Sequence, residues 1–170
     1  PLRPDAGADA GDGGEALVGD GGFALGVEYS EPGLAAPFGD AGVPWAKTRL
    51  EIFSWGRSEP SAPMGNTHTY DWTCPDQEIA EYQAAWMTRI QSYMTPSSSW
   101  ASTSLLAKDI MPKPEHMDDY ELWAQALFER YDGDGNADMP GLRAPVLHWI
   151  VAGEWTGFWG SGDADDYIGF

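Results

Sequence analysis

Apolar and polar positions along this chain follow two alternating periods, which predict strands and helices in turn. A short apolar run over 23–29 predicts the first strand. Over 46–55 the period is two, with charged and aromatic residues on one face and small or aliphatic residues on the other. This second pattern is typical of a barrel strand whose polar side points inward, near a site.

Two later segments follow the helical period. Thr73 caps the first predicted helix, Pro75 falls in its first turn, and Asp76 follows three residues after the cap. The second predicted helix begins at Asp118 or Asp119, whose charges favour its N-terminal dipole. Its buried face consists of apolar and aromatic residues at helical spacing, namely Tyr120, Trp123, Leu127 and Tyr131.

The remaining segments complete an alternating order of strands and helices. A weakly marked helix falls within 32–41, a strand over 88–94, and an apolar strand from Val146 that stops at Gly153. The connections are too long for hairpins, so we expect parallel strands with helices outside. The predicted fold class is α/β, of the (β/α)8 barrel type, with about the first four βα units over 23–170.

The first 22 residues are built almost wholly from Asp, Ala, Gly and Pro. Such a segment buries too little apolar area to offset its ordering entropy, so it is predicted to be a flexible acidic tether. It resembles the spacer behind the signal or lipid anchor of an exported bacterial protein, which predicts a secreted or cell-surface location. A disordered tail with no such role has the same composition.

The charge of the chain restricts its partners. The formal net charge is −18, from 27 acidic residues against nine Lys and Arg. Such a surface repels nucleic acid and anionic membranes, and it suits a neutral ligand such as a carbohydrate, or a cation. A single cysteine, Cys74, excludes an internal disulfide, and no apolar run approaches the length of a membrane span.

Candidate chemistry gathers at the predicted strand ends, where parallel α/β folds bind their ligands. These ends carry acids and large aromatic residues, namely Glu28 and Tyr29, Trp55 and Glu59, Tyr93 and Trp100, and Glu154 and Trp155. Aromatic faces stack on sugar rings, and a carboxyl group held among them has a raised pKa, which suits a general acid. Glu154 is therefore the leading candidate for a catalytic acid.

Several of these segments together resemble a known family. The segments are Gly42–Arg49, Trp55–Pro60, Tyr70–Asp76, Tyr120–Tyr131 and Trp149–Glu154. In order and spacing they are similar to the N-terminal half of a clan A (β/α)8 glycoside hydrolase, of the β-glycosidase and β-xylosidase type. The resemblance covers roughly 23–170.

The resemblance implies a retaining glycoside hydrolase with a sugar polymer or oligomer as substrate. Glu154 would be the acid/base, and a second carboxylate about 5 Å away would be the nucleophile. That nucleophile lies on the seventh strand of the clan and so is absent from this chain. Arg49 would help to keep it ionised. Substrate binding would fall to four aromatic residues, Trp55, Tyr93, Trp100 and Trp155, although packing in the core explains any one Trp equally well.

Two positions depart from the pattern of the family. Gly153 stands where the clan has an asparagine that binds the 2-hydroxyl of the sugar. Trp86 stands where a glycine is expected to end the helix before the third strand, and a tryptophan there is expected to pack against other residues. The first departure bears on catalytic strength and on the family within the clan.

The loop after the second predicted helix is a candidate calcium site. Oxygen ligands recur at every second position, as Asp132, Asp134, Asn136 and Asp138. Ala137 and Arg143 stand where an EF-hand needs Gly and Glu, so the loop is not an EF-hand. A polar turn explains the same residues without a metal. A Ca²⁺ ion here would stabilise the bottom of a barrel, and the implied reaction requires no cofactor.

The histidines show no metal-ligand spacing. His148 shares a strand face with Glu154 and is predicted to point inward, whereas His68 and His116 are expected at the surface. Two other functions remain open. The chain could be a non-catalytic carbohydrate-binding module, or a half-barrel that forms a homodimer to cover its unpaired strand edges.

Overall fold

A computed structural model describes residues 25–28, 33–102 and 111–151. The predicted tether over 1–22, together with Glu154 and Trp155, lies outside the described residues. The elements in chain order are β1 (Gly26–Glu28), α1 (Ala35–Asp40), β2 (Trp45–Lys47), α2 (Trp55–Ser58), α3 (Thr73–Ala84), β3 (Arg89–Met94), a 3-10 turn (Pro114–His116), α4 (Met117–Tyr131) and β4 (His148–Val151).

The four strands form one parallel sheet in the order β1-β2-β3-β4. Each neighbouring pair is joined by a connection that contains at least one helix, as parallel strands require. The predicted α/β class with parallel strands is confirmed. A four-stranded parallel sheet of this order is compatible with part of a TIM-barrel-like fold.

One face of the sheet packs against the helices and forms the core. Ala46, Ile90 and Met94 on this face are at most 3% exposed. They share one apolar cluster with Ile79 of α3 and Leu127 of α4. Full burial of an aliphatic side chain such as Ile79 contributes about 2 kcal/mol. The predicted buried face of α4 is confirmed, because Tyr120, Trp123, Leu127 and Tyr131 are all buried.

A polar contact joins α3 to α4 across this core. Arg130 on α4 donates from Nε to Asp76 Oδ1 at 2.8 Å, and its Nη2 contacts Asp76 Oδ2. The hydroxyl of Tyr131 donates to Asp76 Oδ1 at 2.8 Å. Burial, followed by the charge of Asp76, raises the pKa of Tyr131 far above its ordinary value, so the phenol stays a donor. The two helices are thereby held in register.

The prediction of a strand over 46–55 is wrong beyond Lys47, where β2 ends. A period of two would place Ile52 and Phe53 on opposite faces, but both are buried, at 2% and 0% exposure. The chain turns after β2 so that both side chains enter the core, and Trp55 begins α2. Burial of two consecutive apolar side chains therefore overrides the alternation that the sequence suggests.

Trp86 ends α3 without the packing that we expected. Its φ angle is 64°, in the left-handed region that favours glycine, and its side chain is 74% exposed. The backbone therefore adopts the helix-ending conformation of a glycine in spite of the Cβ atom. That conformation costs a residue with a Cβ atom about 1 kcal/mol.

Replacement of Trp86 with glycine is expected to stabilise the protein. Because the side chain is mostly in solvent, the main effect is relief of the left-handed strain, and the free energy of unfolding should rise by about 1 kcal/mol. Urea unfolding measures the change. Trp86→Ala is the control, since it removes the indole but keeps the Cβ atom. A glycine variant no more stable than the alanine variant would contradict this explanation.

Candidate functional site

The face of the sheet that points away from the core carries a line of polar side chains. Glu28, Lys47, Gln91 and His148 are in register across the four strands, one from each strand. We call these four residues the polar row. Their strand neighbours Ala46 and Ile90 are buried on the opposite face, as strand alternation requires. Parallel sheets are usually apolar on both faces, so a polar row is a feature that needs a chemical reason.

Lys47 is the centre of contacts at the carboxyl ends of β1, β2 and β3. Its Nζ atom lies 2.6 Å from Glu28 Oε1 and 4.7 Å from the centroid of the Tyr93 ring. Burial alone lowers the pKa of Lys47, but hydrogen bonds with Glu28 and Tyr93 outweigh it and raise the pKa. The ammonium ion is thus held on the face, beside Tyr93, which the sequence predicted as a substrate-binding residue.

The other two members of the polar row have unused hydrogen-bonding groups. Among the described residues, neither the side-chain amide of Gln91 nor the imidazole nitrogens of His148 have a hydrogen-bond partner. The His148 ring packs on Trp45, with centroids 5.3 Å apart. Both residues are only partly buried. His148 lies with Gln91 on the face of the sheet that points away from the helices, and the sequence had predicted a position on the same face as Glu154.

A second cluster lies in the connections that follow β2 and β3. We call it the Glu59 cluster, with members Trp55, Glu59, His68, Trp100, His116 and Asp119. Glu59 is 2% exposed, and its carboxylate accepts a hydrogen bond from Trp55 Nε1 at 3.0 Å. His68 Nδ1 lies 3.0 Å from Glu59 Oε1. Trp100 Nε1 donates to the backbone oxygen of Glu59 at 2.9 Å. A buried carboxylate thus has partners on each side, as its desolvation requires.

The Glu59 cluster extends to the first turn of α4. His68 Nε2 lies 3.4 Å from Asp119 Oδ1, and His116 Nδ1 lies 2.9 Å from Asp119 Oδ2. The expected surface position of His68 is wrong, because its side chain is only 9% exposed between two carboxylates. Nearby, burial and then the charges of Glu59 and Asp119 raise the pKa of Tyr70 well above its ordinary value. The cluster joins the loop after β2 to α4.

Of the aromatic residues expected to stack on sugar, Trp55 does not fit that role. Its side chain is 0% exposed and packs against Trp100, Tyr120 and Trp123, so neither ring face can reach a ligand. Trp100 is partly buried, with its ring against Trp55 and His116. Trp100 and Tyr93 thus remain the described aromatic candidates, and Trp155 lies outside the described residues.

Arg49 does not lie on the inner face of β2, where the sequence placed it. The strand ends at Lys47, and Arg49 turns towards α3. Its Nε donates to Glu78 Oε2 at 2.9 Å, and its backbone nitrogen donates to Glu78 Oε1 at 2.9 Å. Tyr82 donates to the same carboxylate at 3.1 Å. The guanidinium that we expected beside a catalytic carboxylate is thus bound to a buried structural one.

The loop after α4, residues 132–138, brings the predicted calcium ligands together, and we call it the Asp loop. Carboxylate oxygens of Asp132, Asp134 and Asp138 lie within 4.8 Å of one another. Backbone N–H groups of Gly133 and Gly135 donate to Asp138, so part of this geometry is an ordinary polar turn. The side-chain amide of Asn136 donates to Glu129 Oε1 rather than towards the three carboxylates. Calcium binding stays a prediction.

Three residues of the polar row and the Glu59 cluster were not predicted as site residues from the sequence, namely Gln91, His68 and Lys47. Alternation over 88–94 placed Gln91 on a face, but no motif marks a glutamine as functional. Lys47 shared its predicted face with Arg49, and the resemblance drew attention to the arginine. His68 has no spacing that reveals its contact with Glu59, since a loop brings the two together. Register across the strands, which the sequence does not contain, identifies the polar row.

Removal of the Arg49 side-chain charge tests its structural role. Arg49→Met leaves the Glu78 carboxylate, which is 4% exposed, without its cation. The free energy of unfolding should fall by about 2 kcal/mol, less than for a fully buried pair because the Arg49 side chain is 26% exposed. The double variant Arg49→Met/Glu78→Gln should recover part of this loss. Equal stability of the single variant and the wild type in urea unfolding would contradict the assignment.

Calcium binding by the Asp loop is tested by thermal unfolding with Ca²⁺ and with EDTA. If three carboxylates hold the ion, saturating Ca²⁺ should raise the melting temperature by a few degrees, since a ligand stabilises the state that binds it. Asp134→Asn should abolish the shift, whereas Asp118→Asn, at an exposed position of α4, should leave it unchanged. A melting temperature that does not respond to Ca²⁺ would rule out a site of useful affinity.

Comparisons with known proteins give one coarse likeness. No family model matches the sequence, and no curated protein matches it. Among solved structures, the chain is similar to the β-galactosidase from the psychrophilic Marinomonas ef1, at 13% identity and a TM-score of 0.49. The likeness covers 76% of this chain and 21% of that chain. Within the described residues, no helix is long and apolar enough to span a membrane.

Proposed function

We propose that the chain is part of a carbohydrate-active protein, a retaining glycoside hydrolase with Glu154 as acid/base. One observation carries the proposal. Strand β4 pairs in parallel with β3, Tyr93 opposite Ile150, and ends at Val151, at the same end of the sheet where Glu28 and Lys47 end β1 and β2. Glu154 follows three residues later in the sequence. The period of two in the sequence, continued from Ile150, predicts Glu154 on the face of the polar row.

The chemistry of this face supports a sugar as the ligand. Lys47 and Glu28 compensate each other in charge, and Gln91 and His148 add neutral donors and acceptors. Tyr93 supplies an aromatic ring beside Lys47. Polar groups that orient the ligand, with aromatic rings around them, are typical of small-molecule sites in parallel α/β folds. The strongly negative chain also favours a neutral ligand over an anionic one.

We assign the nucleophile to none of the described carboxylates. Glu59 and Glu78 are buried and hold structural partners, namely His68 and Trp55 for the first and Arg49 for the second. The second carboxylate would therefore belong to a strand beyond β4, about 5 Å from Glu154. The reaction needs no cofactor, and a Ca²⁺ ion in the Asp loop would act on stability alone. Export to the cell surface through the acidic tether is part of the same proposal.

A second candidate is a carbohydrate-binding protein without catalysis. The side chains of Gln91 and His148, which have no hydrogen-bond partner among the described residues, favour it because they offer hydrogen bonds to a ligand whether or not Glu154 performs chemistry. Self-association through the edges of the sheet is the third candidate. Within the described residues, β1 and β4 each pair on one side only.

The role of Glu154 is tested with aryl glycosides that differ in leaving group. In a protein that includes the strand with the nucleophile, Glu154→Gln should slow hydrolysis of a phenyl glycoside about a thousandfold, because the poor leaving group needs a proton. A dinitrophenyl glycoside, whose leaving group departs without protonation, should lose far less in its first step. Release of the phenol is followed by absorbance.

Glu121→Gln on the exposed face of α4 is the matched control and should retain full activity. Equal losses for the two leaving groups, or none, would contradict the acid/base assignment. A wild-type protein that binds sugars without hydrolysing any glycoside would favour the non-catalytic candidate.

A further inference from the structure

We propose that the polar row, with Tyr93, binds hydroxyl groups of a neutral sugar. This inference rests on the proposed function for the class of ligand. It adds the residues of this chain that contact the sugar. Lys47, Gln91 and His148 were not predicted as binding residues from the sequence, and Glu28 was named only as one of the acids at strand ends. Their register across four adjacent strands is what assigns them.

The row offers both hydrogen-bond donors and hydrogen-bond acceptors. Glu28 presents a carboxylate that accepts hydrogen bonds, and Lys47 beside it presents an ammonium that donates them. Gln91 and His148 each contain both a donor and an acceptor, and among the described residues neither has a partner for them. Each hydroxyl group of a sugar both donates and accepts hydrogen bonds, so sugar hydroxyls can pair with every member of such a row.

Charge compensation within the row favours a neutral ligand. The Glu28 and Lys47 side chains are 2.6 Å apart, and each is partly exposed, at 50% and 21%. An anionic ligand would gain from Lys47 but would meet the carboxylate of Glu28 next to it. A neutral hydroxyl group bridges the two charges without repulsion from either, and it replaces the water that the exposed fraction now contacts.

An apolar covering segment fits the same face less well. It would remove the Glu28 and Lys47 charges from water and leave the Gln91 amide unpaired, at a cost of several kcal/mol. The aromatic residues on either side of the row, Trp45 and Tyr93, instead suit the apolar faces of a sugar ring. A sugar therefore fits the polar row better than an apolar segment does.

The test begins with a printed array of neutral oligosaccharides and continues by titration calorimetry with its strongest binder. Gln91→Met and Lys47→Met remove polar groups but keep chain length, so each should weaken binding at least tenfold. Gln77→Met, the same change on the exposed face of α3, is the matched control and should bind within twofold of the wild type. If Lys47→Met does not fold, Glu28→Gln replaces it in the test, because the Glu28 side chain is half exposed.

The results separate this inference from the proposed function. Hydrolysis that depends on Glu154, with a KM unchanged in Gln91→Met and Lys47→Met, would overturn the binding role of the row while the enzyme assignment stands. Weaker binding in both variants, with melting temperatures and the control unaffected, would support the row even if no glycoside is hydrolysed. Absence of binding to any neutral sugar on the array would also overturn it.

A chemical measurement on the wild-type protein gives a second criterion. Reductive methylation labels accessible lysine amines, and the strongest array binder should slow labelling of Lys47 several-fold. Lys113, in the connection between β3 and α4, is the internal reference and should be labelled at the same rate with and without sugar. Labelling of Lys47 that does not respond to the sugar would contradict direct contact.

Discussion

Packing of the helices against one face of the parallel sheet is the constraint on which the other features depend. Ile90 and Met94 of β3 enter the core with the apolar sides of α3 and α4, and this burial decides which way every strand residue points. The alternation of the strands then sends Lys47, Gln91 and His148 to the opposite face. A polar face and an apolar face are thus two results of the same packing.

The acids of the fold divide into two groups with different roles. Glu59, Glu78 and Asp76 each hold an aromatic donor or a cation within the fold, and they join loops and helices to one another. Desolvated carboxylates of this kind are costly unless they are fully partnered, so their charge is committed to the structure. Glu28 is different, since it is half exposed at a strand end and belongs to the polar row. Exposure and partners, rather than residue type, separate structural acids from site acids.

Much of the fold could be predicted from the sequence, because its signals are local. The apolar spacing of α3 and α4 was sufficient to place both helices, and alternation identified β3. Thr73 was predicted to cap α3 but is its first helical residue, after Trp72 at the N-cap position. The end of β2 was missed, since Ile52 and Phe53 enter the core together and break the period. Trp86 was misjudged for the opposite reason, because a backbone requirement for the left-handed conformation outweighed the tendency of tryptophan to pack.

The candidate site was less predictable, because its geometry is not local. Arg49 and Lys47 are two residues apart and alternate alike, but only the position of Glu78 on α3 shows that the arginine turns away. Trp55 resembled a sugar platform until the contacts with Trp100 and Trp123 showed that it is buried. Contacts between residues far apart in sequence decide such cases, and they follow from the assembled fold.

We expect the ligand to bind on the polar face of the sheet. A crystal structure of the protein with the strongest-binding neutral oligosaccharide tests it most directly. We expect a sugar ring on the face of the polar row, with hydroxyl groups within hydrogen-bond distance of Lys47 and Gln91 and next to Tyr93. A sugar bound on the helical side of the sheet, or a polar row covered by another part of the polypeptide, would contradict the claim.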